Sequence, residues 1–136
     1  MTGLLDHVAI AVRNAAQRLP LYRDLLGLSV ANTEEVAGEQ VNVTILGEGA
    51  GRVELLEPTQ EDSPVGRFLR ERGEGIHHVC FLVDSVQETC ERLEASGYRL
   101  VGGLRAGSEG TLIAFLHPKD TGGVLIELRQ ARETGR

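Results

Sequence analysis

The chain is written twice. Asp6-His7-Val8-Ala9-Ile10-Ala11-Val12 aligns with His77-His78-Val79-Cys80-Phe81-Leu82-Val83, and each run leads into a helix-like stretch that stops at a glycine, Gly27 or Gly97. The later parts of the two copies agree as well. Arg52-Val53-Glu54-Leu55-Leu56 has the pattern of Leu125-Ile126-Glu127-Leu128-Arg129, an acidic residue set among aliphatics. His7 and His78 lie 71 positions apart, Glu54 and Glu127 73. A repeat constrains a fold more than local propensity does, because two copies of one unit bury their apolar faces together. The pattern predicts one α+β domain of two tandem modules, each a strand, a helix and three further strands. The modules span residues 1–60 and 76–136 and are joined by a linker and short helix over 61–75.

Alternation of apolar and polar residues predicts strands near 4–12, 41–47, 52–57, 77–83, 111–116 and 124–129. Helices are expected near 16–26 and 86–96. The second has Val86, Thr89, Cys90 and Leu93 on one face and Gly97 as its stop. The first contains Pro20, which lacks a backbone donor, so that helix is expected to start late or to bend. A short third helix, Val65 to Arg72, follows Asp62-Ser63-Pro64, with Ser63 placed to cap it and Pro64 at its first position.

Composition narrows the functions. At 136 residues with 41% hydrophobic content, the chain can bury one core without disulfides. Cys80 and Cys90 read as reduced buried thiols rather than a bridge. A net charge of -6 and the lack of any run of basic residues argue against a nucleic-acid partner. No stretch is long and apolar enough for a membrane span, and the N-terminus lacks a basic region followed by an apolar run, so a cytoplasmic location is expected. Only one of the 14 basic residues is a lysine, Lys119, in the segment FLHPKDTGG.

Taken singly, a His at the start of a strand reads as a structural residue and a Glu among aliphatics as one facing solvent. The repeat changes the reading. Side chains alternate along a strand, so Glu127 points away from Ile126 and Leu128, toward either solvent or a cavity. When each copy supplies one His and one Glu at equivalent places, a pseudo-twofold axis brings all four to one point. Two imidazoles and two carboxylates suit a divalent ion such as Mn, Fe, Co, Ni or Zn, and four protein donors in an octahedral shell leave two adjacent positions for a chelating ligand.

These placements, together with LDHVAIAV, YRDLLGL, VELLEPTQEDSPVGRFL, GEGIHHVCFLVD and FLHPKDTGGVLIEL, resemble the vicinal-oxygen-chelate superfamily and, within it, the methylmalonyl-CoA epimerases. The most specific segments are EDSPVGRFL, GIHHV and LHPKDTGGVLIEL. The resemblance implies a glyoxalase-like fold, a curved mixed sheet bearing a cleft. It also implies one divalent ion per chain (Co, Mn, Ni or Zn) held by His7, Glu54, His78 and Glu127. The implied reaction is epimerisation of a methylmalonyl-CoA thioester through a metal-stabilised enolate, with Glu127 as both ligand and base.

His78 aligns with His7, so His77 is given a supporting role on the opposite face. The acid/base group for the second face of the carbon is left open among Glu39, Gln40, Glu54 and a water. Lys119 is the candidate contact for the coenzyme A arm, with Arg67, Arg70, Arg72 and Arg105 as weaker options. RAGSEG, from Arg105 to Gly110, reads as a loop over the site, and Gly103 stands where many relatives carry an acidic residue. A homodimer is expected. The rival readings are a lactoylglutathione lyase of the glyoxalase I type, which shares the ligand types, and a small-molecule-binding resistance protein, which often lacks the ligands.

Overall fold

The computed structural model describes residues 3–132; the outermost ends of the two expected modules, residues 1–2 and 133–136, lie outside the described residues. Eight strands form one mixed sheet: β1 Leu4–Ala11, β2 Val30–Val36, β3 Val41–Leu46, β4 Arg52–Pro58, β5 Gly75–Val83, β6 Leu100–Ala106, β7 Leu112–Leu116 and β8 Ile126–Gln130. Their order is β2-β3-β4-β1-β5-β8-β7-β6, and the sheet curls into a half-barrel. β1 pairs in parallel with β4, and β5 with β8. β1 and β5 meet antiparallel at the centre, so the left half of the sheet is matched by the right half turned about that seam.

Two of these strands, β2 and β6, are missing from the six located in the sequence. Both are edge strands, mostly exposed on both faces, so neither carries the alternation that marks a half-buried strand. β6 is further obscured by Gly102-Gly103 and a register shift between Val101 and Arg105. The first helix also differs from a regular one. A 3-10 turn at Ala15–Gln17 gives way to a π-helical segment at Pro20–Leu25, where the Leu26 N–H reaches the Leu21 carbonyl. Pro20 cannot donate into an α-helical ladder, and the wider turn is the local answer.

Helix α1, Pro64–Arg72, forms where its start signals stand: the Ser63 hydroxyl accepts from the Gly66 N–H and Pro64 occupies the first turn. Helix α2, Val86–Ala95, is capped by Ser85, and the chain leaves it through Gly97 at φ 93°. The core has three parts. Val83, Val86, Cys90, Ala114 and Leu128 bury the inner face of α2. Val12, Ala15, Leu46 and Leu55 do the same beneath the 15–25 segment, on the equivalent side of the other half. The third part, on the opposite face, packs Val41, Val43, Ile45 and Leu56 beneath Val65 and Leu69 of α1, and so walls one side of the cleft. Among the described residues, no helix is long and apolar enough to cross a membrane.

Candidate functional site

The sheet register places the expected residues in two adjacent rows on one face. One row runs Arg52, His7, Cys80, Glu127 across β4, β1, β5 and β8; the next runs Glu54, Ala9, His78. Each glutamate therefore sits two residues beyond the histidine of its neighbouring strand, once in each half. The small side chains of Ala9 and Cys80 fill the positions between the polar ones and leave room for their heads.

His7 Nε2, His78 Nε2 and Glu127 Oε1 converge. Glu127 Oε1 lies 2.9 Å from His78 Nε2 and 3.3 Å from His7 Nε2. One ligand atom from each of the three residues falls within 4.8 Å of the others. Glu54 stands beside this group rather than in it: its Oε2 faces His7 Nδ1 at 3.2 Å and the Arg52 guanidinium at 3.9 Å. All four expected ligands are buried, with Glu54 only 3% exposed. His7 Nε2 and Glu54 Oε2 nonetheless lack a hydrogen-bond partner. Buried polar atoms without partners are costly, and a cation at the point of convergence removes that cost for His7 Nε2. The residues present thus fit a divalent ion.

The residue preceding each histidine holds it. A bulge in the β1–β5 ladder separates Leu5 from His7 at Asp6, whose Oδ2 meets His7 Nδ1 at 2.7 Å. His77 Nδ1 meets His78 Nδ1 at 2.9 Å. Burial, and then the charge of His78, push His77 down to about 4, so its ring is neutral. A neutral His77 donating from Nδ1 to His78 Nδ1 leaves the His78 Nε2–H to donate to Glu127 Oε1 at 2.9 Å. Burial opposes a proton on His7, but the carboxylates of Asp6 and Glu127 at its two nitrogens outweigh it and raise His7 to about 9. Burial likewise lifts Glu54 to about 7, against the pull of His7. Burial disfavours ionised Glu127 too, yet contacts with His7 and His78 overcome it and hold the carboxyl well below the usual range. The two glutamates of the repeat are therefore not electrostatic equivalents.

A model of the glyoxalase/bleomycin resistance protein/dioxygenase superfamily matches residues 6–115. The mitochondrial methylmalonyl-CoA epimerase of Mus musculus is 39% identical over 131 residues, covering 95% of this chain and 74% of the relative. The ethylmalonyl-CoA/methylmalonyl-CoA epimerase of Cereibacter sphaeroides is 37% identical over 133 residues, covering 96% of this chain and 99% of that one. The chain belongs to the methylmalonyl-CoA epimerase family. A solved member of the family in complex with methylmalonyl-CoA and NH4+ superposes with a TM-score of 0.94 at 35% identity, covering 99% of both chains.

In this epimerase-family chain, the convergent donors open into a cleft of about 500 Å3, solvent included. Glu54, His77, His78 and Glu127 meet Glu39 and Ser108 there, between apolar walls that include Val41, Val43, Leu56, Ile113 and Phe115. Of the groups left open for the second face, Glu39 lines the cleft, whereas the Gln40 amide is turned to Gln60 Oε1 at 3.2 Å. Lys119 is exposed on the turn Pro118–Asp120. It neighbours Pro118, which lines a surface groove together with Arg67, Arg72 and His77. His77 and Pro64 line both the cleft and this groove, so the two adjoin.

Sequence reasoning missed the charged residues behind the site. Arg129, 2% exposed, reaches Asp6 Oδ2 at 3.3 Å and Glu109 Oε1 at 2.5 Å. Arg52 lies 3.6 Å from Glu109. A signal for both existed: Arg52 stands two before Glu54 and Arg129 two after Glu127, and residues at that spacing on a strand share a face.

Proposed function

We propose that the chain interconverts the two epimers of methylmalonyl-CoA by removing and replacing the α-proton. The observation that carries this reading is the convergence of His7 Nε2, His78 Nε2 and Glu127 Oε1 at the base of a largely apolar cleft, in a chain of the epimerase family. His7, His78 and Glu127 would hold a divalent ion, with Glu54, buried beside them, as the fourth donor. Bound there, the cation would supply Lewis-acid stabilisation of the negative charge left when the α-proton departs.

The protein's own groups supply the rest. Asp6 and His77 fix the two imidazoles. The apolar walls exclude water, which strengthens every electrostatic contact inside. Glu127, kept ionised by His7 and His78, takes the α-proton on one face. Glu39, across the same cleft, delivers its own solvent-derived proton on the other, and Glu127 releases the abstracted one to water. The coenzyme A arm runs from the cleft past His77 into the adjoining groove. There Arg67, Arg72 and Lys119 offset the phosphate charge that an acidic protein otherwise repels.

Exchange of the methylmalonyl-CoA α-proton in deuterated water tests the reading. Exchange should be brisk with the metal-loaded protein and abolished by a chelator. Glu127→Gln should slow it on the order of a hundredfold while leaving most of the metal bound. Near-normal epimerisation by this variant with its metal in place would move the base to Glu54 or Glu39, and exchange that ignores the chelator would refute the metal-dependent reaction.

A further inference from the structure

Glu39 enters the cleft from the first half of the molecule, on the short 3-10 turn Ala37–Glu39. Its carboxylate is met by a residue of the other half. Arg105, at the end of β6, donates from Nε to Glu39 Oε1 at 2.5 Å. The guanidinium is fixed by its own strand: Nη1 donates to the carbonyls of Val101 and Gly103, each at 3.2 Å, and the group stacks over the Phe115 ring at 5.0 Å. Phe115 in turn lines the cleft.

β6 is shaped around this head group. The register with β7 slips between Val101 and Arg105, which turns two carbonyls inward. Gly102 sits at φ +73°, where a side chain is strained, and a Cβ there would come within 2.8 Å of Arg105 Nη1. The partner side is held as well. Gln40, next to Glu39, has left-handed backbone at φ 55°, its carbonyl accepts from the Thr59 N–H at 2.9 Å, and its amide reaches Gln60.

An ion pair whose side chains are 33% and 24% exposed contributes little to stability. A bulge, a left-handed glycine and a ring stack devoted to immobilising its arginine call for a different purpose. We propose that Arg105 is a positioning residue: it holds the Glu39 carboxylate at one fixed place in the cleft, so that the second proton transfer occurs from a preset geometry. This rests on the reading of Glu39 as the acid/base for the second face. Displacement of a catalytic group by about 1 Å can cost on the order of a hundredfold in rate. Loss of Arg105 should therefore act on turnover rather than on binding.

The test compares metal-loaded Arg105→Gln, Arg105→Lys, Gly102→Ala, Glu39→Gln and the double variant Glu39→Gln/Arg105→Gln. Epimerisation kinetics and α-proton exchange are followed from each epimer separately. Arg105→Gln should lower kcat on the order of tenfold or more with KM within about twofold, and Arg105→Lys should recover part of the loss. Gly102→Ala should reproduce the defect with Arg105 still present. The double variant should be no slower than Glu39→Gln alone, and exchange should survive from one epimer while interconversion fails. A raised KM at unchanged kcat, or additive losses in the double variant, would overturn the proposal by making Arg105 a substrate contact. Full activity of Arg105→Gln beside an impaired Glu39→Gln would overturn it while sparing Glu39. Full activity of Glu39→Gln would instead remove the reading on which it rests.

Discussion

His77 and His78 are adjacent, yet their rings serve different ends. His78 is buried and aims Nε2 at Glu127, while His77 is half-buried, makes a T-shaped contact with Phe68 and meets His78 through Nδ1 and a second T-shaped ring contact. His78→Ala should therefore lose the divalent ion, whereas His77→Ala should keep most of it and bind it about 10–100-fold more weakly, the usual effect of removing an outer partner. Metal content by elemental analysis checks this without any activity measurement; equal depletion of both variants would mean that the ligand face was misassigned. The histidine choice was legible from the alignment of the two copies. The unequal electrostatics of Glu54 and Glu127 were not, because those arise from which imidazole nitrogens face each carboxylate.

Among the elements, α1 shows how tightly a local signal can be tied to the site. Ser63 and Pro64 mark the start of the helix in the sequence, but Gly66 is explained only by packing. A Cβ on Gly66 would lie 2.3 Å from the Glu61 carbonyl oxygen and 2.7 Å from that of Gln60, both backbone atoms that cannot swing away. Gly66→Ala should push α1 off the turn before it and displace Val65 from the cleft wall, at a cost of about 2 kcal/mol. Thermal denaturation reads the loss, and an unchanged midpoint would show that the turn yields without strain. The edge strands β2 and β6 teach the converse, since pairing with a neighbour makes them strands although their residues do not alternate.

For the whole molecule, the convergent donors come from β1, β5 and β8, so a bound ion ties the two halves across the central β1–β5 seam. An ion present at 100 times its dissociation constant should stabilise the fold by about 3 kcal/mol. Its removal by chelator should lower the melting temperature on the order of 10 °C, and re-addition of Co2+ or Mn2+ should restore it. A midpoint indifferent to both would mean that the donors do not hold the ion. The duplicated pattern by itself determined the repeat and the face carrying the two His and two Glu residues, because strand periodicity and a fixed spacing along the chain are properties of sequence, and segments such as EDSPVGRFL and LHPKDTGGVLIEL carried the family resemblance. Only the tertiary structure decided that three of the four expected ligands converge while Glu54 stands beside them. It alone also decided that Arg52 and Arg129 back the site and that Arg105 meets Glu39 across 66 residues. Those contacts depend on the curl of the sheet and on bulges at Asp6 and in β6, which bring distant residues together by amounts that no periodicity along the chain encodes.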